Sequence, residues 1–227
     1  MSSEDTHLGP FGLGIAWQMG LIAATWGTAV LFIKMAMTQG VPPFALAALR
    51  GGIAGIGIGA WLLAVGRPLA FAEWRECRHA LVLGVCNGLI PNVMLALALT
   101  RIDSAPAALI QASTPLIVTA LALIFLPGEK STPRHYIGIL LGLAGVALLI
   151  GADAILAADS SAIGALLVAA AACSYAISAV YIRITRPKDP AVTAFGQQVV
   201  ATSAALTLTA IFEPTNTWSY YGKSGAP

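Results

Sequence analysis

The chain has 227 residues, of which 58% are apolar and only 10% charged, with a formal net charge of +2 and a mean hydropathy of +0.83. A soluble domain carries about 25% charged residues, so this chain lacks the charge to cover a water-facing surface of its size. It also lacks the clustered Lys and Arg that neutralise phosphates, which excludes a nucleic-acid binder.

A bilayer core needs about 20 mostly apolar residues in a helix. Seven such runs follow in chain order, at approximately 13–35, 43–66, 79–99, 104–126, 134–152, 163–185 and 190–212. They lack strand alternation, and lipid cannot satisfy an open backbone, so each is expected to be helical. The expected fold is all-α, a polytopic membrane helix bundle of about seven transmembrane helices. Residues 1–12 read as a cytoplasmic tail. Met1 to Phe11 hold Glu4 and Asp5 but no Lys or Arg, so the first run lacks the basic n-region of a cleaved signal. Residues 213–227 read as a polar tail.

Turn chemistry separates the runs: Gly40-Val41-Pro42-Pro43, Gly66-Arg67-Pro68, Arg101-Ile102-Asp103-Ser104, the Pro127 to Pro133 stretch, and Arg186-Pro187-Lys188-Asp189-Pro190. Loops on the N-terminal side carry Arg67, Arg75, Arg78, Lys130, Arg134, Arg183, Arg186 and Lys188. The other side carries Lys34, Arg101 and Lys223. Eight against three places the N-terminus in the cytoplasm of a multi-pass inner-membrane protein, and seven spans leave the C-terminus outside. Gly51, Gly55 and Gly59 in the second run, and Gly138 and Gly142 in the fifth, have the four-residue spacing that lets helix backbones approach closely. Bundle packing explains them without a sliding motion.

Enzyme chemistry is not visible. His7, His79 and His135 are read as outside the spans proper, and there is no HExxH, no GxSxG and no metal-ligand cluster. Cys77, Cys86 and Cys173 form no CxxC pair and read as small thiols, two of them inside apolar runs. No catalytic residue, cofactor or metal is expected. A seven-helix photosensor would need a Schiff-base Lys that the seventh run lacks.

The polar residues inside the runs are the candidate substrate-binding set: Trp26, Arg50, Asn87, Asn92 and Gln111. Arg50 lies roughly eight residues into its run. A charge at that depth costs several kcal/mol unless paired, hydrated or snorkelling, so it serves either an anionic solute group or a structural bond to helix-end carbonyls. Asn87 and Asn92 bracket Pro91, which frees a backbone carbonyl one turn earlier; the amides satisfy that carbonyl or face a cavity. Gln111, Ser113 and Thr114 precede Pro115 in a second kinked, polar segment. Trp26 is mid-span rather than at an interface, so it packs or walls a cavity. Gln197 and Gln198 lie in the region of the seventh run that corresponds to Arg50. No Asp or Glu lies deep in a run, Glu129, Asp103 and Asp153 all being near ends.

Thr25-Trp26-Gly27 through Lys34 aligns without a gap on Ser174-Tyr175-Ala176 through Arg183, hydroxyl on hydroxyl and aromatic on aromatic, and a proline-containing break follows each. The repeat unit is therefore five helices, residues 13–152, followed by a partial second copy, 163–212. An odd unit inserts its second copy inverted, a signature of secondary transporters with a midplane site.

Trp26-Gly27-Thr28, Pro42-Pro43 and Arg50 resemble the opening of the EamA family of the drug/metabolite transporter superfamily. So do Thr114-Pro115-Leu116, Gly128-Glu129 and Gly138 to Val146 in its fourth and fifth helices. The resemblance implies a transporter with ten helices in two repeats, exporting amino acids, other metabolites or drugs, often in exchange for protons. Its partners would be a small-molecule solute, the lipid bilayer and protons as coupling ion; a second copy in a homodimer is a further expectation, drawn from the seven runs rather than from the resemblance. This chain shows seven runs, so the expectation includes a truncated product that does not transport alone.

Overall fold

The computed structural model describes residues 10–71, 73–126, 132–150 and 160–213. The outer parts of both tails, and with them Lys130 and Lys223 of the charge count and the acidic residues Glu129, Asp153 and Asp159, lie outside the described residues. The helices in chain order are α1 (Pro10–Thr38), α2 (Pro43–Ala64), α3 (Trp74–Leu83), a π-helical turn (Gly84–Leu89), α4 (Ile90–Leu99), α5 (Ser104–Gln111), α6 (Thr114–Phe125), α7 (Pro133–Ile150), α8 (Ser160–Thr185) and α9 (Pro190–Phe212). Six units among the described residues are long and apolar enough to cross a membrane: α1, α2, Trp74–Leu99, Ser104–Phe125, α8 and α9. The fifth run forms the 18-residue α7. An all-helical bundle is what the composition called for.

Prolines start the helices where their fixed φ and missing N–H do no harm: Pro43 opens α2 and Pro190 opens α9. Asp189 caps α9, its carboxylate accepting from the amides of Ala191 and Val192 at 3.1 Å each. The same carboxylate pairs with Arg67, while Lys188 reaches Glu73 at 2.5 Å, so the α2–α3 and α8–α9 loops are tied together on the N-terminal side. The Val192 amide first, then the Arg67 guanidinium, hold the Asp189 carboxyl below its usual range. A depressed carboxyl favours the folded state above its ordinary titration range and loses that effect as pH falls through the folded value. Thermal stability should therefore drop below about pH 4, and Asp189→Asn should flatten that acid limb in melts recorded from pH 3 to 6.

The antiparallel pair of α2 and α9 forms the most extensive helix–helix contact among the described residues. A Cβ on Gly51 would lie 2.6 Å from Thr202 Oγ1, one on Gly55 3.4 Å from Gln198 Cβ, and one on Gly59 2.9 Å from Phe195 Cε2. The first glycine stripe thus packs helix on helix. In the second, Gly142 meets Leu116 while Gly138 faces open space. At the far end, Glu213 accepts from the Phe44 and Ala45 amides at 2.9 Å each, occupying donors that the start of α2 leaves free. Burial pushes the Glu213 carboxyl up. Lys34, at the end of α1, donates to the Leu99 and Ile102 carbonyls at 2.8 and 3.0 Å and pairs with Asp103, capping α4.

The third span departs from a plain helix. It begins at Trp74, five residues before the apolar run, and buries Glu76 and His79 in its first turns. His79, expected outside the spans, is only 1% exposed and shares a 2.8 Å hydrogen bond with the Tyr181 hydroxyl. Arg75, Glu76 and Arg78 made this stretch read as a loop, yet α9 packs over it, with Phe71 and Ala80 closing on Gly196. Downstream, the π turn carries i to i−5 bonding, as in Ile90 N–H to Val85 O. In that register Pro91 withholds the donor owed to Cys86. The Ser174 hydroxyl supplies it instead, 2.5 Å from the Cys86 carbonyl, while the Asn92 amide donates to Gly88 O at 2.5 Å. The freed carbonyl is therefore satisfied from α8 rather than by Asn87 or Asn92.

Candidate functional site

The two irregular spans and α1 and α8 border an open cavity of about 790 Å³. Trp26, Gly27 and Val30 come from α1, Asn87 from the π turn, Gln111, Thr114 and Pro115 from the α5–α6 break, and Tyr175, Ala179 and Ile182 from α8. The break at Ala112 and Ser113 is held by hydroxyls: Ser113 donates to Ile110 O at 2.7 Å, and Thr114 to Gln111 O, the carbonyl that Pro115 cannot serve, at 2.6 Å. The α5–α6 kink thus places Thr114 beside the cavity and the π turn places Asn87 there, where irregular structure is tolerated in a membrane protein.

A smaller compartment of about 60 Å³ adjoins it, walled by Trp26, Val30, Arg50, Leu95, Gln111 and Tyr175. Arg50 sits about 10 Å along α2 from Pro43, at 1.5 Å per residue. Its Nη1 donates to Asn92 Oδ1 at 2.9 Å. Among the described residues no carboxylate lies within ion-pair distance of Arg50, and no Asp or Glu lines either compartment. The guanidinium is oriented by a neutral amide and keeps its charge uncompensated beside the cavity. Gln111 reaches both compartments, and its Oε1 is buried without a hydrogen-bond partner.

Trp26 and Tyr175, the pair that the gapless alignment superposes, meet with ring centroids 5.8 Å apart at 44°. Trp26 is 58% exposed, so it walls the cavity rather than filling the core. The Tyr175 hydroxyl stands 3.5 Å from Asn92 Oδ1. Four of the five residues singled out from sequence, Trp26, Arg50, Asn87 and Gln111, line these compartments, and Asn92 stands behind Arg50 as its hydrogen-bond acceptor. Gln197 and Gln198 do not join them; they lie on α9 against the glycines of α2 and the π turn. Tyr175 was not among the five, although its alignment on Trp26 was the signal that marks it. Among the described residues no cluster of His, Cys, Asp and Glu could hold a metal ion.

The geometry is that of a membrane-embedded cavity with aromatic walls and one cation, bounded by broken helices. Comparison with known proteins agrees with it. The chain is 36% identical over 132 residues to the aromatic amino acid exporter YddG of Ancylobacter novellus, covering 57% of this chain and 43% of that protein. It is 29% identical over 164 residues to the uncharacterized inner membrane transporter YedA of Escherichia coli K12, covering 71% and 51%. The chain thus spans about half the length of these curated relatives. A solved crystal structure with 28% identity superposes with a TM-score of 0.60, covering 88% of this chain and 69% of that one. Residues 13–151 match the EamA-like transporter family, and this membrane protein belongs to it.

Proposed function

We propose that this membrane transporter exports small metabolites, amino acids or drug-like solutes, and that an anionic group of the solute docks on Arg50 while its apolar body lies against Trp26 and Tyr175. The observation that carries this reading is the unpaired guanidinium inside an aromatic-walled cavity. A cation within a membrane span without a counter-charge is costly to keep, and a solute carboxylate would compensate it. The Ancylobacter relative, an aromatic amino acid exporter, points the same way.

The proposed orientation has the N-terminus in the cytoplasm, from the bias of basic residues in the loops. Proton coupling rests on family resemblance alone, since no carboxylate lines the cavity among the described residues. A second reading, a chain that does not transport unaided, is favoured by α1. Only 11% of its apolar window is buried, against 50% for α8, to which it aligns. A second copy in a homodimer would cover that face.

Cells overexpressing the full-length protein should tolerate higher concentrations of toxic aromatic metabolites and release them faster. Unchanged tolerance and efflux across amino acids and such metabolites would sink the exporter reading.

A further inference from the structure

The two compartments together present a single charge, and it is positive and lies in the smaller one. Arg50 supplies it, and the rest of the lining is apolar or neutral: aromatic rings, aliphatic side chains, the Asn87 and Gln111 amides and the Thr114 and Thr119 hydroxyls. A zwitterionic amino acid entering this space would satisfy its carboxylate and leave its ammonium without a counter-ion. Burying an unpaired ammonium costs several kcal/mol, and neutral amide dipoles offset only part of that. The buried, unpartnered Gln111 Oε1 offers an ammonium one neutral acceptor but no counter-charge.

We propose that the site selects aromatic monocarboxylates that lack an ammonium group over the corresponding amino acids. This deepens the reading of Arg50 as the anion-docking residue and rests on it. The roughly 60 Å³ compartment beside Arg50 takes the carboxylate, and the roughly 790 Å³ compartment takes the ring and its linker. Selectivity follows from what is absent from the lining as much as from what is there, because every described charged residue other than Arg50 lies outside both compartments.

The test uses the purified full chain in lipid nanodiscs and four probes of one shape: 3-phenylpropanoate, L-phenylalanine, 3-phenylpropanamide and phenethylamine. Equilibrium binding is read by calorimetry. The expected order is 3-phenylpropanoate tightest, L-phenylalanine at least about tenfold weaker, the amide weaker still, and no detectable phenethylamine binding. Arg50→Gln should remove the preference for 3-phenylpropanoate over its amide. Gln111→Glu, which sets a carboxylate opposite Arg50 at almost unchanged volume, should move the preference toward L-phenylalanine, and its melting temperature reports whether it folds. Equal or tighter binding of L-phenylalanine by the wild type overturns the selectivity while leaving anion docking at Arg50 intact. Binding of the amide as tight as that of 3-phenylpropanoate, or binding of none of the four, overturns both.

Discussion

Gly88→Ala is expected to destabilise the protein, and Ala201→Gly to restore it. A Cβ on Gly88 would fall 2.5 Å from Ala201 Cβ, a contact real side chains do not make. Neither atom is the end of a flexible chain, so the helices themselves must move apart. Overpacking of this kind costs about 1–3 kcal/mol, partly offset by the roughly 1 kcal/mol that alanine gains over glycine in a helix. The residual loss should appear as a lower melting temperature in detergent or nanodiscs. In the double-mutant cycle the coupling should reach about 1 kcal/mol, as for residues in direct contact. A Gly88→Ala protein as stable as wild type would show that α9 does not seat on the π turn as described. So would an Ala201→Gly change that simply adds its own cost.

The second large effect is at Arg50. Arg50→Met keeps length and removes charge. A charge inside a span costs several kcal/mol, so if Arg50 is kept for a solute, its removal should leave the melting temperature unchanged or raise it. Export, or binding of an anionic probe, should fall about 100-fold, in the range expected when one partner of a buried charge pair is lost. Asn92→Leu should behave in the opposite way. It strips the Gly88 carbonyl of its side-chain donor and Arg50 of its acceptor, so a loss of about 1–3 kcal/mol in stability is expected. Loss of folding in Arg50→Met would instead assign the guanidinium a structural role.

The helical bundle was legible because membrane spans are written in bulk hydropathy, which survives errors of a few residues. Arg50, Trp26, Asn87 and Gln111 were legible for a related reason: polar or aromatic groups at mid-span need an explanation. What sequence could not show is register. Asn92 looked like an even choice between cavity and backbone, and the π turn decided it by moving every carbonyl one residue along. The donor to Cys86, Ser174, lies 88 residues away, and no local pattern connects them. Glu76 and His79 were hidden for the converse reason. Their polar neighbourhood resembles a loop, and only the packing of α9 across it turns that stretch into buried helix.

The clasp between α2 and α9 also bears on how the chain is assembled. Gly51 meets Thr202, and the Phe44 and Ala45 amides meet Glu213, across nearly the whole described length. During synthesis the first helices enter the bilayer long before α9 emerges, and contacts between distant parts of a chain form late. Until then the glycine face of α2 has only lipid against it. The bundle's most extensive interface is therefore the last to close, and a nascent chain arrested before residue 190 should be the form most open to membrane proteolysis.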